Sequence, residues 1–254
     1  MMTAFDQRPD APEAFGYKTF WFAIRTADSA AVVDALDFGP ATPANWASGI
    51  AATYGEDDPQ MPESWVFVSP PVDGWVLVTG ARLPYPVAID EHPEIGRKFD
   101  TVFARLMARF ADVQFFGSYR VADLVTWARA RGGQPERIFC YADGGVLTNF
   151  GEQTAEEAQL RFLDLSGLSP EEASDKIFSI AEERGLDEER LIASGVSPRD
   201  ALARVEETGR DPFPDESDAV DLAARWSLDP TQLSAQDHPV GVGLAVRLPQ
   251  DLAA

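Results

Sequence analysis

The stretch Trp65–Leu83, WVFVSPPVDGWVLVTGARL, limits the fold more than any other part of the chain. Two apolar, β-favouring runs, Trp65-Val66-Phe67-Val68 and Trp75-Val76-Leu77-Val78, flank Pro70-Pro71-Val72-Asp73-Gly74. Asp-Gly between such runs is a strong hairpin signal. Neither run alternates apolar with polar, so both faces of the hairpin are expected to be covered. That requires a sheet with helices or loops packed on it.

The flanking sequence supplies more elements of the same kind. Tyr17–Arg25 reads as a first strand, and Asp28 or Ser29 can cap a short helix ending at Leu36. Thr42-Pro43 predicts a second helix to Tyr54, with Trp46, Ile50 and Tyr54 on one face. Arg97–Phe110 is an amphipathic helix and Val113–Tyr119 a strand. Val121–Arg131 reads as a helix closed by Gly132-Gly133, and Pro135–Phe150 as a second hairpin. Strand, helix and hairpin therefore recur at 17–83 and 113–150. This predicts an α+β fold with a mixed or antiparallel sheet of about six strands, built by a tandem β-α-β-β arrangement with packed helices. Residues 1–16 read as a loose polar arm.

Beyond Gly151 the composition changes. Residues 1–150 carry net charge −7, and the shorter segment 151–254 carries −14. Ser169-Pro170-Glu171-Glu172 is a capping box with proline at the first helical position, Ser197-Pro198 repeats part of the signal, and Asp215 or Ser217 can cap a helix ending near Trp226. Residues 151–254 are expected to form an acidic, mainly helical part packed on the sheet domain of 17–150. Within it, 186–214 is expected as an inserted helical pair and Val242–Leu248 as an edge strand.

The net charge of −21 disfavours nucleic acid and anionic membranes, and favours a basic protein partner or cations. The single cysteine excludes an internal disulfide, and no Cys/His cluster has zinc spacing. No apolar run marks a signal peptide or a membrane span, so the expected location is cytoplasmic.

Nothing in the sequence assembles into a catalytic constellation, a metal site or a cofactor cradle. His92 and His238 sit in proline-bearing turns beside carboxylates and are expected to be exposed loop residues. A nucleophile elbow and a phosphate-binding glycine loop are both missing. Cys140 lies among strand residues, where a thiol is usually a buried apolar filler. The candidate binding residues are Trp46, Trp127 and Trp226, each on an expected helix, Arg120 at a strand-to-helix junction, and the acidic pair Asp57 and Asp58. Trp and Arg are enriched where interfaces concentrate their energy, and Trp-lined pockets hold small ligands.

Val113-Gln114-Phe115-Phe116, Arg120-Val121, Trp127, Trp226-Ser227-Leu228-Asp229-Pro230-Thr231 and the hairpin segment Gly74-Trp75-Val76-Leu77 resemble a family of uncharacterised bacterial proteins. The resemblance covers most of the chain outside 186–214 and implies no activity. The family pattern has His-Arg where this chain has Tyr119-Arg120, which argues against catalysis by that position. The expected function is an acidic protein-binding module, in one form a toxin-neutralising immunity protein. The alternative is an enzyme or small-molecule binder with a cleft between the sheet and the C-terminal helices.

Overall fold

A computed structural model describes residues 5–54, 64–88, 93–235 and 238–254. The expected acidic pair Asp57 and Asp58, and His92, lie outside the described residues. The fold is α+β, with a single nine-stranded antiparallel sheet. Its strands are β1 (Phe20–Arg25), β2 (Ala41–Asn45), β3 (Trp65–Val68), β4 (Trp75–Gly80), β5 (Asp112–Tyr119), β6 (Leu124–Arg131), β7 (Gln134–Ala142), β8 (Gly145–Phe150) and β9 (Val242–Arg247). They lie side by side in the order β2-β9-β3-β4-β1-β5-β6-β7-β8.

The central hairpin forms as its sequence dictates. Asp73 (φ 50°) and Gly74 (φ 84°) adopt the left-handed pair of a two-residue turn whose twist matches the flanking strands. Pro70 and Pro71 cannot donate to a ladder. Ser69 compensates, because its N–H donates to the Leu77 carbonyl (2.8 Å) and its hydroxyl accepts from the Leu77 N–H (2.9 Å). All ten residues of β3 and β4 are buried.

Helices cover both faces. Against Phe22, Ile24, Val66, Val78 and Phe115 lie α1 (Ser29–Leu36) and α3 (Pro93–Met107). Against Trp21, Phe67, Leu77, Phe116 and Trp127 lie α2 (Trp46–Thr53), α5 (Pro170–Ala193) and α7 (Glu216–Trp226). The short α4 (Ala155–Gln159) packs beside α7, and α6 (Pro198–Thr208) packs on α5. The expected caps at Asp28, Ser169, Ser197 and Asp215 each accept a backbone N–H in the first turn of their helix.

The structure corrects seven sequence expectations. The segment 121–131 is strand β6, not a helix. Val125 and Trp127 face one core while Leu124, Ala128 and Ala130 face the other, a period of two that coincides with helical spacing over a short run. Gly132 (φ 58°) and Gly133 (φ 76°) are the two central residues of a hairpin turn, not a helix stop. Only a single 3-10 turn, Arg120–Ala122, separates β5 from β6, so the second half is a four-stranded meander and does not repeat the strand-helix-hairpin order.

The second helix starts later than expected. Residues 41–45 form edge strand β2, where Pro43 costs no ladder bond on its open side. Asn45 is the cap, accepting from the Ser48 N–H at 3.0 Å. The N-terminal arm is not loose from Phe5 onward. Phe5 meets Trp65 edge-to-face at 5.0 Å, and the Asp10 carboxylate accepts the N–H groups of Trp46 (2.7 Å) and Ala47 (3.0 Å). The 242–248 segment is not an edge strand either, because β9 lies between β2 and β3. Finally, the His238 side chain is only 6% exposed, with Nδ1 3.8 Å from the Asp73 carboxylate.

Candidate binding site

The chain from Glu152 onward crosses the face of the sheet that carries Trp127, and the crossing encloses two neighbouring cavities. The segment between α6 and α7, Gly209–Asp215, forms a strap over them, and Phe213 and Pro214 line both.

The inner cavity is small, ≈ 30 Å³, room for a water or two. Its floor is a buried ionic cluster. Successive residues of β6 and β7 alternate faces, so Trp127, Arg129, Arg137 and Phe139 all project toward the strap. Thr154-Ala155-Glu156-Glu157 closes α4 with a capping box: the Glu157 N–H donates to Thr154 Oγ1 (3.2 Å) and the Thr154 N–H to Glu157 Oε2 (2.7 Å). The other Glu157 oxygen, Oε1, accepts from Arg137 Nε (3.0 Å) and Trp127 Nε1 (2.9 Å). Arg137 Nη1 also donates to Asn149 Oδ1 (2.7 Å) and the Phe150 carbonyl (3.1 Å). Glu157 and Arg137 are 1% and 3% exposed. A pair this deep holds only because its remaining lone pairs and protons are also satisfied.

Arg129 sits beside this cluster. It pairs with Glu136 (3.0 Å) and Glu156 (3.4 Å) and lies 4.5 Å above the Trp226 ring. Burial alone would raise the Glu156 carboxyl; its own backbone amide, the Arg129 guanidinium and the Trp226 indole outweigh burial and hold it below the ordinary value. Arg210 of the strap pairs with the buried Asp218 and covers the Phe162 ring at 4.9 Å.

The outer cavity is larger, ≈ 400 Å³, within the range of small-ligand sites. Ser118 and Arg120 at the end of β5, Asp123 before β6, Tyr141 of β7 and the strap residues Phe213–Glu216 enclose it. Arg120 Nε donates to Glu216 Oε1 at 2.7 Å. Tyr141 meets the Phe213 ring at 6.3 Å, close to perpendicular. Burial, with the negative charges of Asp123 and Asp211, pushes the Tyr141 phenol above its ordinary value.

The structure thus brings Arg120, Trp127 and Trp226 to one face, under or beside the C-terminal helices. Trp46 is elsewhere: it is fully buried against Phe67 (5.4 Å) beneath β3, a core residue at the other end of the sheet. Trp127 lies on a strand rather than a helix, and its indole is a donor inside the ionic cluster. Trp226 is also packed, 5.6 Å from Phe116. Sequence reasoning missed Tyr141, Glu157 and Phe213. The Thr154-x-x-Glu157 capping signal was readable, but its carboxylate's second role depends on β6 and β7 being strands.

Among the described residues no group of three or more His, Cys, Asp and Glu could hold a metal ion. Among them, too, no helix is long and apolar enough to cross a membrane. No protein-family model, curated protein or solved structure matches the chain.

Proposed function

We propose that this protein is an acidic protein-binding module whose docking surface is the helical arm formed by α5 and α6, and whose partner presents basic groups around an apolar contact. The observation that carries the reading is the makeup of that arm. Leu186, Ile192 and Leu202 are exposed there, among eleven acidic and five basic residues between Pro170 and Thr208. Only Ala173, Ile177, Ala201 and Val205 of the two helices are buried apolar residues. A groove of ≈ 460 Å³ between α5 and α6 is lined by Ala181, Leu202 and Val205 with Glu188 and Glu206 at its sides. Apolar anchors ringed by charge suit a transient interface, and the negative ring selects a basic partner and speeds encounter.

The arginines over the sheet face support the same reading by contrast. Arg120, Arg129, Arg137 and Arg210 each pair with a carboxylate of this chain. None is left unpaired to receive an anionic substrate. Masking of a basic nuclease surface, as an immunity protein does, is one form of this function.

Replacing Leu186, Ile192 and Leu202 together by serine tests the assignment. The intact protein, immobilised in lysate of its own host, is expected to retain one basic protein stoichiometrically and release it as salt rises. The triple variant is expected to lose at least tenfold in affinity for that purified partner with its melting temperature unchanged. Equal affinity of the two forms, or no stoichiometric partner, overturns the reading.

A further inference from the structure

The outer cavity carries a second assignment, independent of the arm. We propose that it is a binding site for a small organic cation bearing an amine or guanidinium group on a short alkyl chain.

The polar groups around it call for a cation. Asp123, Asp215 and Glu216 contribute three carboxylates, and the one lining cation, Arg120, is already bound to Glu216. Among the described residues the Asp123 side chain makes no hydrogen bond or ion pair, and it is exposed at the mouth. Acidity alone would mark a solvated surface, but one buried side chain lining this cavity carries a polar atom without a partner. Tyr141 is 5% exposed, and its hydroxyl has no hydrogen bond among the described residues. A polar atom on so buried a side chain is rarely left so, and a group entering the cavity completes it. An ammonium or guanidinium supplies several donors at once.

The walls fit the rest of such a molecule. The rings of Tyr141 and Phe213 line the cavity, and aromatic rings attract a cation over their faces. Leu124, Val125 and Pro214 give an apolar lining for methylene groups. An anion is disfavoured by the surplus of carboxylates.

The test is calorimetric titration of the whole protein with agmatine, which carries a guanidinium and an amine on four methylenes. A blocked Gly-Arg-Gly tripeptide, glutarate and 1,5-pentanediol run alongside. Saturable binding of agmatine, with none of glutarate or the diol, is the expected result. Binding of agmatine alone identifies a free small cation; equal binding of the tripeptide identifies the side chain of a partner. The variant combining Tyr141→Phe with Asp123→Asn is expected to bind at least tenfold more weakly at an unchanged melting temperature. That variant removes a hydroxyl that makes no internal bond, and asparagine tolerates the left-handed backbone at position 123 (φ 45°). No saturable binding of either cation, or undiminished binding by the variant, overturns the proposal. Neither outcome bears on the α5–α6 surface, which is probed by different residues.

Discussion

Glu157→Ala is expected to destabilise the protein by about 3–5 kcal/mol, the usual cost of removing one partner from a buried ion pair. The change strands the Arg137 guanidinium, 3% exposed, without its counter-charge. It also leaves the Trp127 indole N–H without its acceptor and opens the capping box of α4. For a chain of this length, a loss of that size lowers the melting temperature by about 10 °C. Glu157→Gln retains the shape but not the charge, and is expected to fall between wild type and alanine. Combining Glu157→Gln with Arg137→Met is expected to cost less than the sum of the two single changes, because the stranded charge is gone. Urea denaturation measures the wild type, Glu157→Ala, Glu157→Gln, Arg137→Met and the double variant. A loss below about 1 kcal/mol for Glu157→Ala would show that the cluster does not hold the C-terminal segment on the sheet.

Gly151→Ala is expected to cost about 2–5 kcal/mol, for two reasons that add. Its backbone is left-handed (φ 83°), a conformation that penalises any Cβ by about 1–2 kcal/mol. A Cβ there would also lie 1.9 Å from the Glu136 carbonyl oxygen, an overlap only backbone movement can relieve, at about 1–3 kcal/mol. The movement reaches the ionic cluster, since the Gly151 carbonyl accepts from Arg137 at 3.4 Å. Gly144→Ala is the control. Its φ is 80°, but nothing lies within 4 Å of the added carbon, so only the conformational penalty applies. If both substitutions lower the melting temperature equally, the close approach at Glu136 is not what requires glycine at 151.

Local chemistry was legible where it is decided locally. Asp73-Gly74 announced its turn, and Ser169, Ser197 and Asp215 announced their helices, because turns and caps involve atoms two or three residues apart. Segment 121–131 was not legible. Strands between two helical layers are apolar on both faces, and Val121, Leu124, Val125 and Ala128 satisfy a helical period by accident. That misreading hid the ionic cluster, since Trp127 and Arg129 face Glu157 and Glu156 only on a strand. Arg120, a candidate from its place at the end of a strand, lines the outer cavity. Its partner Glu216 was not a candidate, being 96 positions away with no spacing to connect them.

The position of β9 has a consequence for synthesis. On the ribosome, Trp65-Val66-Phe67-Val68 emerges long before Val242–Arg247, the strand that pairs with its outer edge. Until then this wholly apolar strand presents a row of unpaired N–H and C=O groups, the geometry that recruits strands from other chains. The sheet can close only after nearly the whole polypeptide is available, so its nucleus must form among β4, β1, β5, β6, β7 and β8, whose neighbours are all made earlier. A chain interrupted before β9 therefore exposes an adhesive seam along the outer side of β3, and the surplus negative charge that precedes β9 is well placed to keep such chains apart.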